Sequence, residues 1–399
     1  MVKNNIADIR DCYGCGVCAV VCPKKIIKID LNKEGFYVPN LFDETLCNQC
    51  GLCLSVCAFA GEGVSAPQKS IAKGYAAWSN DVQVRRECTS GGIGFEIGKV
   101  LINQGYKACG VKYNPDLNRA EHFIASTIEG FIPSIKSKYI QSYTPTGFNH
   151  FNKNDRFFVT GTPCQIDSIR RYAQKMKIED HFVLMDFYCH GVPSMNMWRK
   201  YSRMVEKKVG RIVHASWRNK RTRWNKFSLN NDVKSKGDVI VWQDSKSVLL
   251  SGEKAGDYVS RHSKGNMFFH FFLGDVCLNK PCHTNCKYKQ LASSADIRVA
   301  DFWGKKYVKD TEGISGVVAL SEKGDEIMSS LENCTLVNEE VDTVGQGQHI
   351  VAPKKSRARR FFMIAFDSQL SINTIYALFQ MYLFPRRLKN KVLKVLGFR

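Results

Sequence analysis

The sequence predicts two unlike units in one chain, a small cysteine-built α+β module followed by a larger α/β domain. Three observations carry this. Eight of the sixteen cysteines fall into two identical four-member runs before residue 60. After residue 70, short β-rich runs alternate with helical runs, the pattern of an α/β domain and not of a sandwich. The 399 residues are too many for one compact core, and an apolar content of 44% is ample to bury two or three.

The N-terminal module is built on a repeat. Cys12, Cys15, Cys18 and Cys22 recur as Cys47, Cys50, Cys53 and Cys57, each displaced by 35 residues, so the halves are structurally equivalent. The spacing C-x2-C-x2-C-x3-C wraps three thiolates around one 4Fe-4S cubane and sends the fourth to a second cluster. Cys12, Cys15 and Cys18 are therefore expected to share a cluster with Cys57, and Cys47, Cys50 and Cys53 with Cys22. This crossing makes a ferredoxin-like dicluster fold in which the two halves are one folding unit. Pro23 follows Cys22 as in bacterial ferredoxins, while Ala58 stands at the equivalent place after Cys57. Gly14, Gly16 and Gly51 admit close backbone approach and direct N–H groups at the sulfides. Paired C-x2-C also makes zinc ribbons, but eight cysteines in two identical four-member runs fit zinc poorly. The opening MVKNNIADIRDC has no apolar stretch and no small-residue cleavage site, so it is not read as a signal peptide. The thiols are accordingly expected to be metal ligands in a reducing cytoplasm. After Cys57, AFAGEGVSAPQKS has the small, polar composition of a linker, which sets the module at residues 1–64.

In the larger domain, strands are expected at Gly74 to Trp78, Ala108 to Tyr113, Arg156 to Thr160, Phe182 to Phe187, Arg211 to Trp217, Val239 to Trp242 and Ile297 to Phe302. Helices are expected after Gly92, at Pro163, at Ser194, near Asp257 and at Glu322. The stretch Asn266 to Gly274 (NMFFHFFLG) is about half the length of a membrane span and reads as a core helix; no apolar window reaches a span. Two strand-to-helix turns have the form that holds a phosphate, Thr89-Ser90-Gly91-Gly92 and Gly161-Thr162-Pro163, although such turns are also common in purely structural roles. In the C-terminal stretch Ile375 to Arg399, apolar and aromatic residues precede Pro385 and basic ones follow it. Leu388, Val392, Val395 and Leu396 fall at helical spacing among lysines and arginines, which permits either a basic helix on an anionic bilayer or a terminal helix docked on the domain.

Eight further cysteines do not repeat. Cys277, Cys282 and Cys286 crowd into DVCLNKPCHTNCKYK, and Cys164 and Cys189 each follow the carboxyl end of an expected strand, where α/β sheets present ligands. A third 4Fe-4S cluster built from several of these is expected. Cys334 reads as a small buried hydrophobe, with Cys88 and Cys109 open to either role.

The formal charge is +21. Two oxidised clusters, each about −2 with its four thiolates, lower this to about +17. The remainder suits an acidic protein donor, a phosphate-bearing cofactor or a lipid surface. A basic run from Arg199 to Lys226, with Arg211, Arg218, Lys220, Arg221 and Arg223, offers an attractor for an acidic ferredoxin or a polyanionic coenzyme, or else a solvated face. Trp217 and Trp224 within it offer either a stacking platform or core packing.

Several strings together resemble one family. FFVTGTPCQIDSIRR (Phe157 to Arg171), MDFYCHGVPSMNMWRKY (Met185 to Tyr201) and ADIRVADFWG (Ala295 to Gly304), with TSGG at Thr89 to Gly92 and KSKYIQS at Lys136 to Ser142, are similar to the beta subunit of coenzyme F420-reducing hydrogenases and dehydrogenases. The likeness runs from about Gly74 to about Met328. It implies that residues 65–150 and 151–340 are the two parts of a flavin-binding α/β domain carrying FAD and a third cluster, with 341–399 a basic tail. By the same resemblance, Ser90, Gly91, Gly92, Lys138, Thr162, Gln165 and His190 line the flavin site. His190 is either an acid that protonates the reduced flavin or acceptor, or a hydrogen-bonded structural histidine. The late cysteines of the family are usually separated by two residues, whereas three lie between Cys282 and Cys286, which leaves Cys277 or His283 as alternatives.

The function so implied is that of an iron–sulfur flavoprotein oxidoreductase passing electrons between 4Fe-4S clusters and FAD, with hydride transfer to or from an organic acceptor. The acceptor is F420-like or another substrate, surface-polysaccharide intermediates included. The expected partner is a ferredoxin or a hydrogenase or dehydrogenase subunit, and no nucleic acid is expected. Rival readings are an electron-transfer subunit with no substrate of its own, and a basic nucleic-acid- or membrane-binding protein with structural metal sites.

Overall fold

The computed structural model describes residues 4–9, 11–220, 246–254, 256–307 and 309–395, the side chains of Lys305 and of 386–395 excepted. The strand expected at Val239 to Trp242 and the residues Arg221, Arg223, Trp224 and Lys226 lie outside these.

The N-terminal unit is a β-hairpin flanked by the cysteine runs. Strands β1 (Ile27–Leu31) and β2 (Tyr37–Leu41) pair antiparallel, with Ile27 and Ile29 turned inward by the period-two alternation. Each run leads into a short helix, Val17–Val21 and Leu52–Ser55. Gly16 (φ +75°) and Gly51 (φ +73°) cap these helices in the left-handed region, where an L side chain would be strained.

The larger unit is organised by a nine-stranded mixed sheet. Its strands are β3 (Ser70–Ser79), β4 (Tyr106–Asn114), β5 (Arg119–Ala125), β6 (Ser142–Tyr143), β7 (Arg156–Thr160), β8 (Phe182–Phe187), β12 (Ile297–Asp301), β13 (Ser315–Ser321) and β14 (Cys334–Glu339). A separate three-stranded antiparallel sheet holds β9 (Ile212–Trp217), β10 (Ser247–Gly252) and β11 (Asp257–Arg261). The large sheet runs β14-β3-β13-β12-β8-β7-β4-β5-β6, with β12, β8, β7 and β4 mutually parallel at its centre.

Both faces of β7 and β8 are covered, which explains the unbroken apolar stretches 157–159 and 182–185 within them. Phe157, Val159, Phe182 and Leu184 point to the side covered by helix Pro163–Met176, and their core is continuous with Val17, Val20, Ile29 and Val56 of the cysteine module. Phe158, Val183 and Met185 point to the other side, under helix Ile93–Asn103. The cysteine module therefore shares a hydrophobic core with the sheet and is not suspended from a tether. A third core joins helices Met195–Val209 and Met267–Leu273 to the small sheet and to two C-terminal helices, Arg359–Asp367 and Ile372–Val395.

Most expected elements coincide with observed ones, including the helix starts at Gly92, Pro163, Ser194 and Glu322. The helix expected near Asp257 is instead β11, because Asp257–Arg261 (DYVSR) completes an antiparallel pair with β10; the helix begins at Met267, where the Asn266 side chain accepts the Phe269 N–H. Trp217 is fully buried 4.9 Å from Trp198, so it packs the core. The C-terminal helix runs through Pro385.

Candidate functional site

The thiols assemble into three groups. Cys18 is pushed up by burial and then by the charges of Cys15, Cys12 and Cys57, so these four face one another. Cys22, Cys47, Cys50 and Cys53 line a small pocket with Asn5 and Pro23, and Asn5 Nδ2 lies 3.5 Å from Cys47 Sγ. The charge of Cys53 is felt at Cys18 as well, which makes the two groups neighbours. A third group joins Cys164, Cys189, Cys282 and Cys286. Burial raises the Cys164 thiol, with Cys189 and Cys282 adding to the shift, and raises Cys189 to about 12, with Cys282 and Cys286 adding. Four thiols gathered out of water stay thiolate only around a cation, and these donor sets suit iron–sulfur clusters. Among the described residues no three His, Cys, Asp or Glu converge on a single-ion position; a four-iron cubane spreads its thiolates farther apart than one ion does.

Cys277 does not join the third group. It is buried against the apolar third core, its thiol raised by burial and by Asp275. Nor does His283, whose Nδ1 lies 3.0 Å from the Pro353 carbonyl. Cys109 is core, Cys334 packs against the core under helix Ile93–Asn103, and Cys88 borders the cavity described below.

Helix Pro163–Met176 links the first and third groups. Cys164 sits in its first turn beside Thr162 Oγ1 at 3.2 Å. One turn on, the buried Ser168 hydroxyl accepts the Ala58 N–H at 3.2 Å and lies 3.1 Å from Cys15 Sγ. Tyr13 stands between, edge-on to Phe59 and Tyr288, and Cys15 is itself felt at Cys164. Asn279 Nδ2 donates to Cys12 O at 3.0 Å and Lys287 Nζ to Ala58 O at 2.9 Å, clasping the module to the loop that carries Cys282 and Cys286.

That loop is anchored by a buried ion pair. Arg298 on β12 donates through Nε and Nη2, both at 2.7 Å, to the two carboxylate oxygens of Asp186 on β8. Neither side chain has any exposure. Arg298 also donates to Gln290 O (2.8 Å) and Ala292 O (3.1 Å), just beyond Cys286, while Asp186 accepts Ser293 Oγ at 2.6 Å.

A cavity of about 560 Å³ opens beside the third group, at the carboxyl ends of β7, β8 and β12. This is where an open α/β sheet offers a binding crevice. Ser90, Gly92, Lys138, Thr162, Gln165 and His190 all line it, together with Cys189. Gly91 does not: its N–H is spent on Ser315 Oγ at 3.0 Å, and a Cβ there would strike the Ala77 carbonyl. Several of the lining residues also have evident structural work. Gln165 Oε1 accepts the Thr162 N–H at 2.9 Å, capping the helix, and Lys138 Nζ donates into a ring of carbonyls from Pro133 to Lys136, the nearest being Ile135 O at 2.6 Å. Burial lowers Lys138 to about 7.

The walls are cationic. Lys136, Lys138, Arg218 and Lys246 face it against a single carboxylate, Asp301, which pairs with Arg218 at 2.8 Å. Arg218 also stacks on Trp303, and Tyr139 Oη lies 3.3 Å from its Nη1. Arg218 thus belongs to the site, whereas Arg211 is exposed and paired with Asp116 and Glu253. His190 Nδ1 lies 3.2 Å from Nδ1 of His349, and its ring is edge-on to Phe272. His190 Nε2 is 2.9 Å from Asp275 Oδ1, yet neither atom makes a hydrogen bond, so the contact has the distance of an ion pair and not the alignment of a hydrogen bond. Burial, then the neighbouring His190, lowers His349 to about 3. Arg218 was visible in sequence only as one of a basic run and Trp303 only as part of the string ADIRVADFWG, and no local pattern marks His349.

Residues 11–60 match the 4Fe-4S dicluster domain, and residues 154–343 match the C terminus of the coenzyme F420 hydrogenase/dehydrogenase beta subunit. Residues 154–343 are thus similar to the C-terminal part of that beta subunit, and a dicluster domain precedes them. The chain's relatives include a coenzyme F420-dependent sulfite reductase of Methanocaldococcus jannaschii, 24% identical over 351 residues that cover 86% of this chain and 50% of that protein. The chain thus spans about half the length of that relative. Another is a subunit of the F420H2 dehydrogenase of Methanosarcina mazei, 27% identical over 76% of this chain and 80% of that one. A chain of the F420-reducing NiFe hydrogenase complex from Methanosarcina barkeri superimposes with a TM-score of 0.44 at 14% identity, covering 69% of this chain and 84% of that one.

Proposed function

We propose that this chain is an iron–sulfur flavoprotein oxidoreductase, in which electrons pass along three 4Fe-4S clusters to FAD in the cation-lined cavity. The observation that carries the reading is the succession of thiol groups, from Cys22/Cys47/Cys50/Cys53 through Cys12/Cys15/Cys18/Cys57 to Cys164/Cys189/Cys282/Cys286, the last of which borders the cavity through Cys189. A bound flavin would supply the conversion between single electrons and a hydride. The chain's own residues hold and shield it. Gly92 and Gly94 at the start of helix Ile93–Asn103, with Lys136 and Arg218, suit its phosphates; Tyr139, Phe269 and Phe272 supply an apolar wall from which water is excluded. His190, in the cavity wall beside Cys189 and His349, is the group to hand a proton to the reduced ring or to its acceptor. The named activities of the relatives make F420 the first acceptor to try, and a relative that is itself one subunit among others favours a docked redox partner.

The test is anaerobic purification followed by iron, sulfide, zinc and flavin quantification on one sample. About twelve iron per chain with about one FAD, reduced by dithionite and reoxidised by F420 or another small molecule, supports the proposal. Zinc in place of iron, with no flavin, overturns it. Flavin that no small molecule reoxidises would favour an electron relay instead.

A further inference from the structure

Nearly half of the chain's positive excess lies in one C-terminal stretch of the sequence. Residues 343–399 hold eleven Lys and Arg against one acid, Asp367. The same stretch forms helices Arg359–Asp367 and Ile372–Val395. Their inner faces are fully accounted for: Phe362, Phe366, Ile375 and Phe379 are buried, with Phe366 and Phe379 each 5.1 Å from Phe271.

Their outer faces are apolar as well. Phe361 and Ile364 are 53% and 62% exposed on the first helix, and Met381 and Phe384 are 69% and 63% exposed on the second. Each pair is three residues apart and so occupies one face of its helix. In the sequence, Leu388, Val392 and Val395 carry the spacing of Met381 and Phe384 onward among Arg386, Arg387, Lys389, Lys391 and Lys394. In the segment leading into the first helix and in its first turn, Lys354, Lys355, Arg357 and Arg360 are exposed.

A surface this apolar asks for a covering, and the charge around it selects which. A second copy of the chain would bring two basic rims together and repel. An anionic bilayer satisfies both features, accepting the apolar stripe at the acyl boundary and attracting each flanking Lys or Arg. Tyr382, half-exposed beside the stripe, has the amphipathic ring favoured at that depth. No helix among the described residues is long and apolar enough to cross a membrane, so the geometry fits a helix pair lying on the surface. We propose that this helix pair is a peripheral membrane-binding device that lays Phe361, Ile364, Met381 and Phe384 into an anionic lipid interface, with the surrounding Lys and Arg on the headgroups. The proposal does not depend on the redox reading.

The experiment is co-sedimentation of the full-length, anaerobically prepared protein with vesicles of phosphatidylcholine alone or mixed with phosphatidylglycerol. Wild type is expected to bind the mixed vesicles at low salt and not the neutral ones. Met381→Glu/Phe384→Glu and Phe361→Glu/Ile364→Glu should each weaken binding roughly tenfold or more with iron content unchanged. Val82→Glu, which alters an exposed apolar residue elsewhere, should bind as wild type. Wild type that stays in the supernatant with the mixed vesicles overturns the proposal. So does wild-type-like binding by both double variants, since basic residues alone would then explain it, or a dimer that Met381→Glu/Phe384→Glu dissolves.

Discussion

Replacing Arg298 by Met should damage the protein more than replacing both members of its ion pair. Arg298→Met leaves the Asp186 carboxylate fully buried with Ser293 Oγ as its one remaining hydrogen-bond donor, where it had received two charge-assisted bonds at 2.7 Å. Stranding one partner of such a pair costs about 3–5 kcal/mol, because the uncompensated charge keeps its desolvation penalty. For a unit of this size, at roughly 2 °C per kcal/mol, the thermal midpoint should fall by about 6–10 °C. Arg298→Met/Asp186→Leu removes the stranded charge and should recover most of that, since an apolar pair of similar volume is often neutral. The carbonyls of Gln290 and Ala292 lose their donor in both variants. The segment after Cys286 is then untethered, and if the proposed third cluster is held there, iron should fall by about four per chain in both. The assay is a thermal melt at fixed scan rate with parallel iron analysis. A fall under about 2 °C in the single variant, or a double variant as unstable as the single, would refute the reasoning that an unpaired charge dominates.

Three further outcomes are expected. Cys282→Ser should lose about four iron per chain while Cys277→Ser keeps its full complement, measured by iron analysis and low-temperature spin resonance; equal losses would place Cys277 in the ligand set. Ser168→Ala removes the hydroxyl that lies 3.1 Å from Cys15 Sγ and that would donate to this sulfur once it is a cluster thiolate. A lost bond of about 1 kcal/mol to the more negative reduced state corresponds to a downward shift of roughly 40 mV in one cluster, read by redox titration, with the others unmoved. His122 is buried against Phe148, and desolvation lowers it to about 4. Its folded pKa lies below the ordinary 6.5, so the unfolded state binds more protons between those values. The contribution is full above pH 6.5 and is lost as pH falls toward 4. By pH 5.5 the loss should be about 1.3 kcal/mol relative to pH 7.5, and His122→Gln should flatten that slope in denaturant melts.

The strand and helix positions legible in the sequence are those with a local cause. Strands Phe182–Phe187 and Arg156–Thr160 are centred on the apolar stretches 182–185 and 157–159 because both sheet faces are covered, and Pro163 and Ser194 announce helices through their own backbone and side-chain chemistry. Asp257–Arg261 is too short for its period to distinguish helix from strand, and its pairing with β10 decided the matter.

The same division runs through the candidate site. The cysteine repeat groups Cys57 with the first run and Cys22 with the second, because wrapping a cubane is a matter of a few residues of chain; in the structure Cys57 is near Cys18, and Cys22 lines one pocket with Cys47, Cys50 and Cys53. Cys164 and Cys286 lie more than a hundred residues apart, and spacing alone allowed Cys277 as readily as Cys282 or Cys286. Only the neighbouring positions of β7, β8 and β12 bring Cys164, Cys189, Cys282 and Cys286 together and bury Cys277 among phenylalanines. The cationic wall follows the same rule, since Arg218, Lys246 and His349 are placed by packing between segments distant in sequence. Composition supplied the excess of positive charge; tertiary burial decided that Arg218 faces Asp301 inside a cavity while Phe361 and Met381 face outward beside a basic rim. Local spacing encodes what a few residues of chain can reach, and burial encodes what only a completed core can bring into contact.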